Sequence, residues 1–183
     1  MKTIILVAGK ARSGKDYISN KIIEELNSNE CIAVKTAFAD ELKRNICTLL
    51  NISLDELNEL KNSEEPFCKN GTTVRQMLQR FGTDIVFKFD ELHWVKILAK
   101  FINETDYKYY FISDFRYPSE KEISKFIKDN HKIITVNIIS NNIKIKSNSH
   151  SSETSLGDYK FDVVIDNTDY TKKDYLNILK YLY

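Results

Sequence analysis

Short apolar runs alternate along the chain with segments in which apolar residues recur every three or four positions. The runs predict strands at residues 4–8, 32–38, 109–112, 132–139 and 161–165, and the three-to-four spacing predicts helices with one buried face. Strands that alternate with helices favour a mostly parallel sheet that is covered by helices on both faces. The pattern therefore predicts an α/β fold with about five strands.

The middle of the chain carries the clearest helical pattern. Four apolar residues recur at i, i+3, i+4 and i+7 and predict a core face, namely Val74, Met77, Leu78 and Phe81. Arg75 falls on another face of this helix, where it offers hydrogen-bond donors. We expect the Gly-Thr-Asp sequence at 82–84 to end the helix, and a further helix around 92–101 to carry the only tryptophan, Trp94.

Two shorter helices are predicted before this segment. Asp40 begins the first, and the spacing directs its apolar residues inward, namely Leu42, Ile46 and Leu49. The second begins with Ser53-Leu54-Asp55-Glu56, which is the pattern of a capping box. Both helices therefore have local start signals of their own.

The loop after the first apolar run reads Gly-Lys-Ala-Arg-Ser-Gly-Lys-Asp at 9–16. It fits the phosphate-binding pattern G-x-x-x-x-G-K-[ST] at every position but the last. Gly9 and Gly14 let bare backbone approach a phosphate with several N–H groups aimed inward. Lys15 adds a cation for the β- and γ-phosphates, and the following helix presents its positive end. Because strand, loop and helix come in the required order, a chance glycine turn is the weaker interpretation.

Asp16 stands where the pattern has a hydroxyl residue that ligates Mg²⁺. A carboxylate can hold the ion directly or through water. Its negative charge would repel the phosphates unless a metal ion or nearby cations offset it. Arg12 and Lys10 supply such cations. A second interpretation, that Asp16 favours the helix N-terminus electrostatically, holds at the same time.

Composition narrows the class of protein. The 183 residues suggest one domain, and 27 Lys and Arg against 26 Asp and Glu give a net charge of +1, so there is no basic field for nucleic acid. The three cysteines have no metal-ligand spacing and indicate reduced intracellular thiols. No segment approaches a membrane span. We expect a cytoplasmic protein with small-molecule substrates and neither nucleic-acid nor membrane partners.

Asp114 and Arg116 directly follow the third predicted strand. A carboxylate at a strand end commonly orients a Mg²⁺-bound water or a substrate hydroxyl, and an arginine fork grips phosphate oxygens in pairs. The alternative is that the two residues simply pair with each other. Because ligands bind at the carboxyl ends of parallel strands, we expect the opening loop, this pair and the segment after residue 139 at one edge of the sheet.

Several blocks of the sequence resemble the phage-type deoxynucleoside monophosphate kinases, in the order of that family. They are the loop at 9–16, Phe38-Ala39-Asp40-Glu41-Leu42-Lys43, the run 74–84, Trp94-Val95-Lys96, Asp114-Phe115-Arg116 with Glu120, Ser149-His150-Ser151-Ser152-Glu153, and Val164-Ile165-Asp166-Asn167. Animal phosphomevalonate kinases resemble the same blocks more loosely. The resemblance implies a single P-loop kinase domain over 1–183, with an acceptor-binding helical region at about 40–104 and a lid at about 140–157.

The resemblance also implies the site residues. ATP and Mg²⁺ would be held by Gly9, Arg12, Ser13, Gly14, Lys15, Asp16, Tyr17 and Asn167. Among these, Asp16 is the metal ligand, Asn167 lies near the adenine, and Tyr17 stands where many members have threonine. The acceptor nucleotide would be surrounded by Lys43, Arg75, Gly82, Thr83, Trp94, Asp114, Arg116 and Glu120. The lid offers Lys144, Lys146 and His150 but no arginine.

The sequence thus predicts a kinase that transfers the γ-phosphate of ATP to a deoxynucleoside monophosphate and gives the diphosphate. Lys15, Arg12, Arg116 and Mg²⁺ would neutralise the transferring group, and the anionic acceptor needs no general base. One alternative is a kinase of another small molecule, like the phosphomevalonate kinases. Another is a non-catalytic nucleotide-binding regulator, against which Arg75, Trp94 and Arg116 argue. The base that is accepted and the formation of a homodimer stay open.

Overall fold

The structure is a computed structural model that describes residues 1–28, 30, 32–63, 65–141, 155–169 and 174–182. The chain forms two compact units. The first comprises Met1–Ala37 and Leu98–Tyr183, and the second comprises Phe38–Ile97. The first unit contains the sheet, whereas the second is helical and falls within the region predicted to bind the acceptor. The organisation as a single domain with a lid stays a prediction.

Within the described residues, five parallel strands form one sheet in the order β2-β3-β1-β4-β5. They are β1 (Lys2–Ala8), β2 (Ala33–Thr36), β3 (Tyr109–Ile112), β4 (His131–Ile139) and β5 (Val163–Asp166). Every residue of the central strand β1 is buried, including those that point to opposite faces, so the sheet is covered on both sides. The predicted α/β class and parallel sheet are confirmed.

Strand β5 begins two residues later than the apolar run predicts. The reason lies in the side chain of Asp162, whose carboxylate accepts hydrogen bonds from the backbone N–H and the hydroxyl of Thr135 at 2.8 and 2.6 Å. Asp162 therefore bonds β4 through its side chain, and the backbone ladder starts at Val163. Such a contact joins distant residues, so the local pattern does not reveal it.

Helices cover the sheet of the first unit. Helix α1 (Lys15–Leu26) follows the glycine-rich loop and buries Ile18, Ile22 and Leu26 against the strands. A 3₁₀-helix (Pro118–Lys125) follows β3, and Pro118 at its first position has a backbone angle that suits a helix start. A second 3₁₀-helix (Asp174–Ile178) continues into a short terminal α-helix (Leu179–Leu182). None of the described helices has the length and apolar composition of a membrane-crossing segment.

The second unit is built from helices around one apolar cluster. They are α2 (Asp40–Leu50), α3 (Leu54–Ser63), α4 (Val74–Gln79), a π-helix (Arg80–Val86), the single turn α5 (Phe87–Phe89) and the start of α6 (His93–Glu104). The buried members of the cluster are Leu42, Ile46, Leu57, Val74 and Leu78. The predicted capping box is confirmed, because the backbone N–H of Glu56 donates to Ser53 Oγ at 3.2 Å and that of Ser53 to Glu56 Oε2 at 2.7 Å.

Leu49 is not directed inward as the spacing predicts, since it is 72% exposed. It lies in the last turn of α2, and the chain leaves this helix through Asn51 in the left-handed conformation. The turn brings Leu50 and Ile52 against the apolar cluster instead. A helical period fixes the face of a residue but not the length of helix that the core covers.

The sequence Gly-Thr-Asp at 82–84 does not end the helix as predicted, because α4 continues through the π-helix into α5. Gly82 is buried, and a Cβ at this position would lie 2.7 Å from Leu42 Cδ2. The missing side chain therefore lets the widened turn pack directly on α2. The glycine is a close-packing residue here, and π-helical turns are frequent at functional sites.

Candidate active site

The glycine-rich loop at 9–16 joins the end of β1 to α1. Gly14 and Arg12 have left-handed backbone conformations, with φ of 84° and 66°, and such residues turn successive N–H groups toward one concave side. A Cβ at Gly9 would lie 2.5 Å from Ser13 Oγ and 2.7 Å from the carbonyl oxygen of Ile138. Only glycine fits there, so the loop has the close backbone approach that phosphate binding requires.

Two features of the loop suit an anion. Ser13 is 1% exposed, and its hydroxyl has no hydrogen-bond partner in the described part of the chain. Helix α1 has Gly14 as its N-cap, which offers no side chain to its first N–H groups. These donors and the positive end of the helix favour negative charge. Lys15, partly buried, is the first helical residue. The residues present therefore fit a triphosphate.

Asn167 reaches this loop from the far end of the chain. Its side-chain Nδ2 donates to the carbonyl oxygen of Ser13 at 2.9 Å, in a buried position. Its backbone N–H donates to the carbonyl oxygen of Ile139 at 2.8 Å. The structure thus places Asn167 against the loop backbone, a contact that the sequence does not indicate. The contact of Asn167 with adenine stays a prediction.

Asp16 has a cationic neighbour that the sequence does not reveal. Its carboxylate lies 3.5 Å from the ammonium of Lys35 in β2, and its side chain is 62% exposed. Mg²⁺ is usually bound by one or two carboxylates together with substrate phosphates and water. An accessible carboxylate beside the loop fits this kind of site. The neighbouring Tyr17 is half exposed, with the ammonium of Lys21 6.0 Å from its ring centroid.

Asp114 and Arg116 flank a buried aromatic residue at the end of β3. The ring of Phe115 contacts Tyr159 and Phe161 with centroid distances of 5.3 and 6.3 Å. The backbone N–H of Phe115 donates to the carbonyl oxygen of Val7 at 3.2 Å, so this stretch runs beside the end of β1. Arg116 is exposed and Asp114 is half-buried. The structure therefore brings both residues to the sheet edge that carries the phosphate loop, as predicted.

Glu120 holds the backbone of this stretch. Its Oε2 accepts hydrogen bonds from the backbone N–H groups of Arg116 and Tyr117, at 2.6 and 3.0 Å. The residue is 9% exposed. Burial, and then the negative charge of Asp114, raise the pKa of Glu120 to about 8 against the lowering effect of the two N–H bonds and of Arg116. The sequence signal for this clamp is a glutamate at the third position of a helix that begins with proline.

The predicted acceptor residues of the second unit lie on α2, α4, the π-helix and α6. The indole N–H of Trp94 donates to the carbonyl oxygen of Gly82 at 3.2 Å, while the ring packs on the apolar cluster and stays partly exposed. Lys43 pairs with Asp40 at 3.1 Å. Arg75 is half-buried, and its Nε is buried without a hydrogen-bond partner among the described residues. Thr83 lies inside the π-helix.

Most of the predicted lid lies outside the described residues. This applies to Lys144, Lys146, His150 and the block at 149–153. Ser155, near the end of the predicted lid, is described, and its hydroxyl donates to the carbonyl oxygen of Arg116. The described end of this segment thus contacts the stretch that carries the candidate catalytic arginine.

A parallel sheet with a phosphate-binding loop after its central strand is the arrangement of P-loop nucleotide-binding proteins. A sequence model of the deoxynucleotide monophosphate kinase family matches residues 52–177. The chain therefore belongs to the deoxynucleotide monophosphate kinase family, and it is a nucleoside monophosphate kinase.

No curated protein sequence matches the chain. Among solved structures, the chain is similar to the crystal structure of thymidylate kinase from Ehrlichia chaffeensis, with 14% sequence identity, a TM-score of 0.46 and coverage of 100% of both chains.

Proposed function

We propose that the protein transfers the γ-phosphate of ATP to a deoxynucleoside monophosphate and releases ADP and the deoxynucleoside diphosphate. The observation that carries this proposal is the loop at 9–16, whose backbone suits a triphosphate, in a chain of the deoxynucleotide monophosphate kinase family. Two described cysteines, Cys47 and Cys68, are free thiols. Free thiols agree with a protein that acts in the cytoplasm, where ATP is available and thiols stay reduced.

The donor side of the reaction rests on the first unit. The loop N–H groups and the start of α1 would bind the β- and γ-phosphates, and Lys15 with Arg12 would neutralise the charge on them. Arg116 would place its guanidinium beside the transferring phosphoryl group and neutralise part of its charge. Asp16 would hold Mg²⁺ together with phosphate oxygens, and the ion would supply further neutralisation of the triphosphate. Tyr17 completes the proposed ATP set beside Asp16.

The acceptor side is assigned here to residues of the second unit. Arg75 and Lys43 would bind the α-phosphate of the acceptor, because both carry cations on helices beside the apolar cluster. The partly exposed ring of Trp94 offers an aromatic surface to the base. Gly82 and Thr83 shape the turn that Trp94 hydrogen-bonds. Because the acceptor phosphate is already an anion, the reaction needs positioning and neutralisation rather than a general base.

The acceptor class is tested with purified protein, MgATP and a panel of ribo- and deoxyribonucleoside monophosphates plus phosphomevalonate. We expect ADP release with at least one deoxynucleoside monophosphate, and a coupled assay measures this release. Turnover with phosphomevalonate alone contradicts the proposed substrate class. Binding of MgATP without ADP release from any nucleoside monophosphate also contradicts the proposed reaction.

Truncating Arg75 to alanine should weaken the binding of the acceptor but not the binding of MgATP. A lost hydrogen bond to a charged group costs about 1.5–3 kcal/mol, or roughly a ten- to hundredfold increase in the acceptor Kd. The Kd for MgATP should hardly change, since the loop at 9–16 is untouched. Calorimetry with each nucleotide alone measures both constants.

Arg80→Ala is the matched control, since Arg80 is an exposed arginine five residues further on and outside the proposed site. It should leave both constants within about twofold, because exposed surface changes usually cost within about 0.5 kcal/mol. An unchanged acceptor Kd in Arg75→Ala removes Arg75 from the acceptor site. Unfolding of Arg75→Ala alone means that the guanidinium holds the fold.

A further inference from the structure

Asn167 is fixed at both of its polar ends. It directly follows β5, is 6% exposed, and its backbone N–H extends the pairing with β4 by donating to Ile139. Its side chain reaches the loop between β1 and α1, where Nδ2 donates to the carbonyl oxygen of Ser13 at 2.9 Å. The strand end therefore supplies a rigid support for the loop, because a buried amide with fixed backbone has little freedom to move.

The amide of Asn167 also lies against Gly14. A Cβ at Gly14 would overlap Asn167 Nδ2, and Gly14 has a φ of 84°. Glycine is thus required here by two independent conditions, the left-handed conformation and the contact with Asn167. The Ser13–Gly14 peptide is packed directly on the Asn167 side chain.

A hydrogen bond to the Ser13 carbonyl fixes more than the carbonyl itself. The peptide unit is planar and trans, so the N–H of Gly14 points opposite to the carbonyl of Ser13. Holding that oxygen toward Asn167 therefore holds the Gly14 N–H away from it, at the point where α1 begins. The same hydrogen bond fixes the orientation of the Ser13–Gly14 peptide plane, and this peptide directly precedes the first N–H groups of α1.

We propose that Asn167 is a positioning residue for the triphosphate, which acts by holding the Ser13–Gly14 peptide and does not read the adenine base. The proposal rests on the proposed function in one respect, that the loop at 9–16 binds the triphosphate of the donor. A positioning role affects every ligand with a triphosphate, whereas a base-reading role affects only ligands with adenine.

This difference defines the experiment. The Kd values of MgATP, MgGTP and magnesium tripolyphosphate, which has no base, are measured without acceptor for the wild type, Asn167→Ala and Asn167→Asp. We expect Asn167→Ala to weaken all three ligands by a similar factor, about three- to tenfold for one neutral hydrogen bond. Asn167→Asp should weaken all three more, because a carboxylate cannot donate to the Ser13 carbonyl and adds negative charge beside the phosphates. In turnover, KM for MgATP should rise while KM for the acceptor stays constant.

Thr168→Ala is the matched control, because it removes a polar group from the next residue without touching the loop contact. It should leave the three constants within about twofold of the wild type. Loss of ATP affinity alone in the Asn167 variants, or no loss for any ligand, overturns the positioning role. Unfolding of both variants at the assay temperature in a melting scan also overturns it, since Asn167 would then hold the fold. Failure of the wild type to bind any triphosphate instead contradicts the proposed function.

Discussion

Replacing Lys15 by methionine should slow phosphoryl transfer about a hundred- to a thousandfold, because a preorganised charge at the transferring group is lost. Lys15 is the first residue of α1 and follows Gly14 in the loop whose backbone suits the triphosphate. Methionine keeps a similar unbranched stem and helix propensity, so the fold should persist. The rate is measured as ADP release at saturating MgATP and acceptor, and the fold by the thermal midpoint.

Lys21→Met is the control for this change. Lys21 lies on the same helix, but its ammonium is exposed and pairs with Glu24 at 2.7 Å. Its removal should leave the turnover number within about twofold, since exposed ion pairs contribute little. Near-normal turnover of a folded Lys15→Met protein removes Lys15 from the proposed mechanism.

Glu120 should make the stability of the protein fall as the pH rises. Its carboxyl is buried and its pKa is raised to about 8 in the folded protein, against an ordinary value of 4.5. Between these two values the folded state keeps the proton that the unfolded state has released. The contribution is therefore fully present below about pH 4.5 and is lost as the pH rises toward 8, with a slope of up to about 1.4 kcal/mol per pH unit.

Glu120→Gln tests this prediction, because the neutral amide keeps the size and an oxygen that can accept from the N–H groups of Arg116 and Tyr117. The free energy of unfolding is measured by urea denaturation at several pH values from 4.5 to 9. We expect the free energy of unfolding of the variant to rise steadily relative to that of the wild type up to about pH 8. Above that pH the difference between the two should stay constant.

Glu122→Gln is the matched control on the same 3₁₀-helix. Glu122 is partly exposed and pairs with Lys125 at 2.9 Å, so its removal should change the free energy of unfolding by less than about 1 kcal/mol at each pH. If wild type and Glu120→Gln keep a constant difference over the whole range, Glu120 does not take up a proton on folding. If the wild type gains on the variant as the pH rises, Glu120 is ionised and acts as an anionic clamp.

The sequence by itself determined the features that depend on neighbouring residues. The buried strand β1, the glycine-rich loop and α1 follow from an apolar run, two glycines and a helical period within 26 residues. The capping box of Ser53 and Glu56 is equally local. The position of Asp114 and Arg116 at the phosphate-loop edge also followed, since parallel strands place their carboxyl ends on one side.

Local signals misled where packing decides the outcome. The Gly-Thr-Asp sequence at 82–84 is typical of a helix end. The helix nevertheless continues, because Gly82 has no Cβ and can pack against Leu42. Leu49 has the right period but lies beyond the reach of the apolar cluster. A period or a glycine is visible in the sequence, whereas the neighbour that it meets is not.

Only the tertiary structure decided which partners hold the candidate site residues. Asn167 meets Ser13 across 154 positions of sequence, and Lys35 in β2 reaches Asp16 at the start of α1. The burial of Glu120, which raises its pKa, is likewise a property of the folded chain. Chemistry within a few residues can be inferred from residue type and spacing, but contacts between distant residues depend on how the sheet brings its strand ends together.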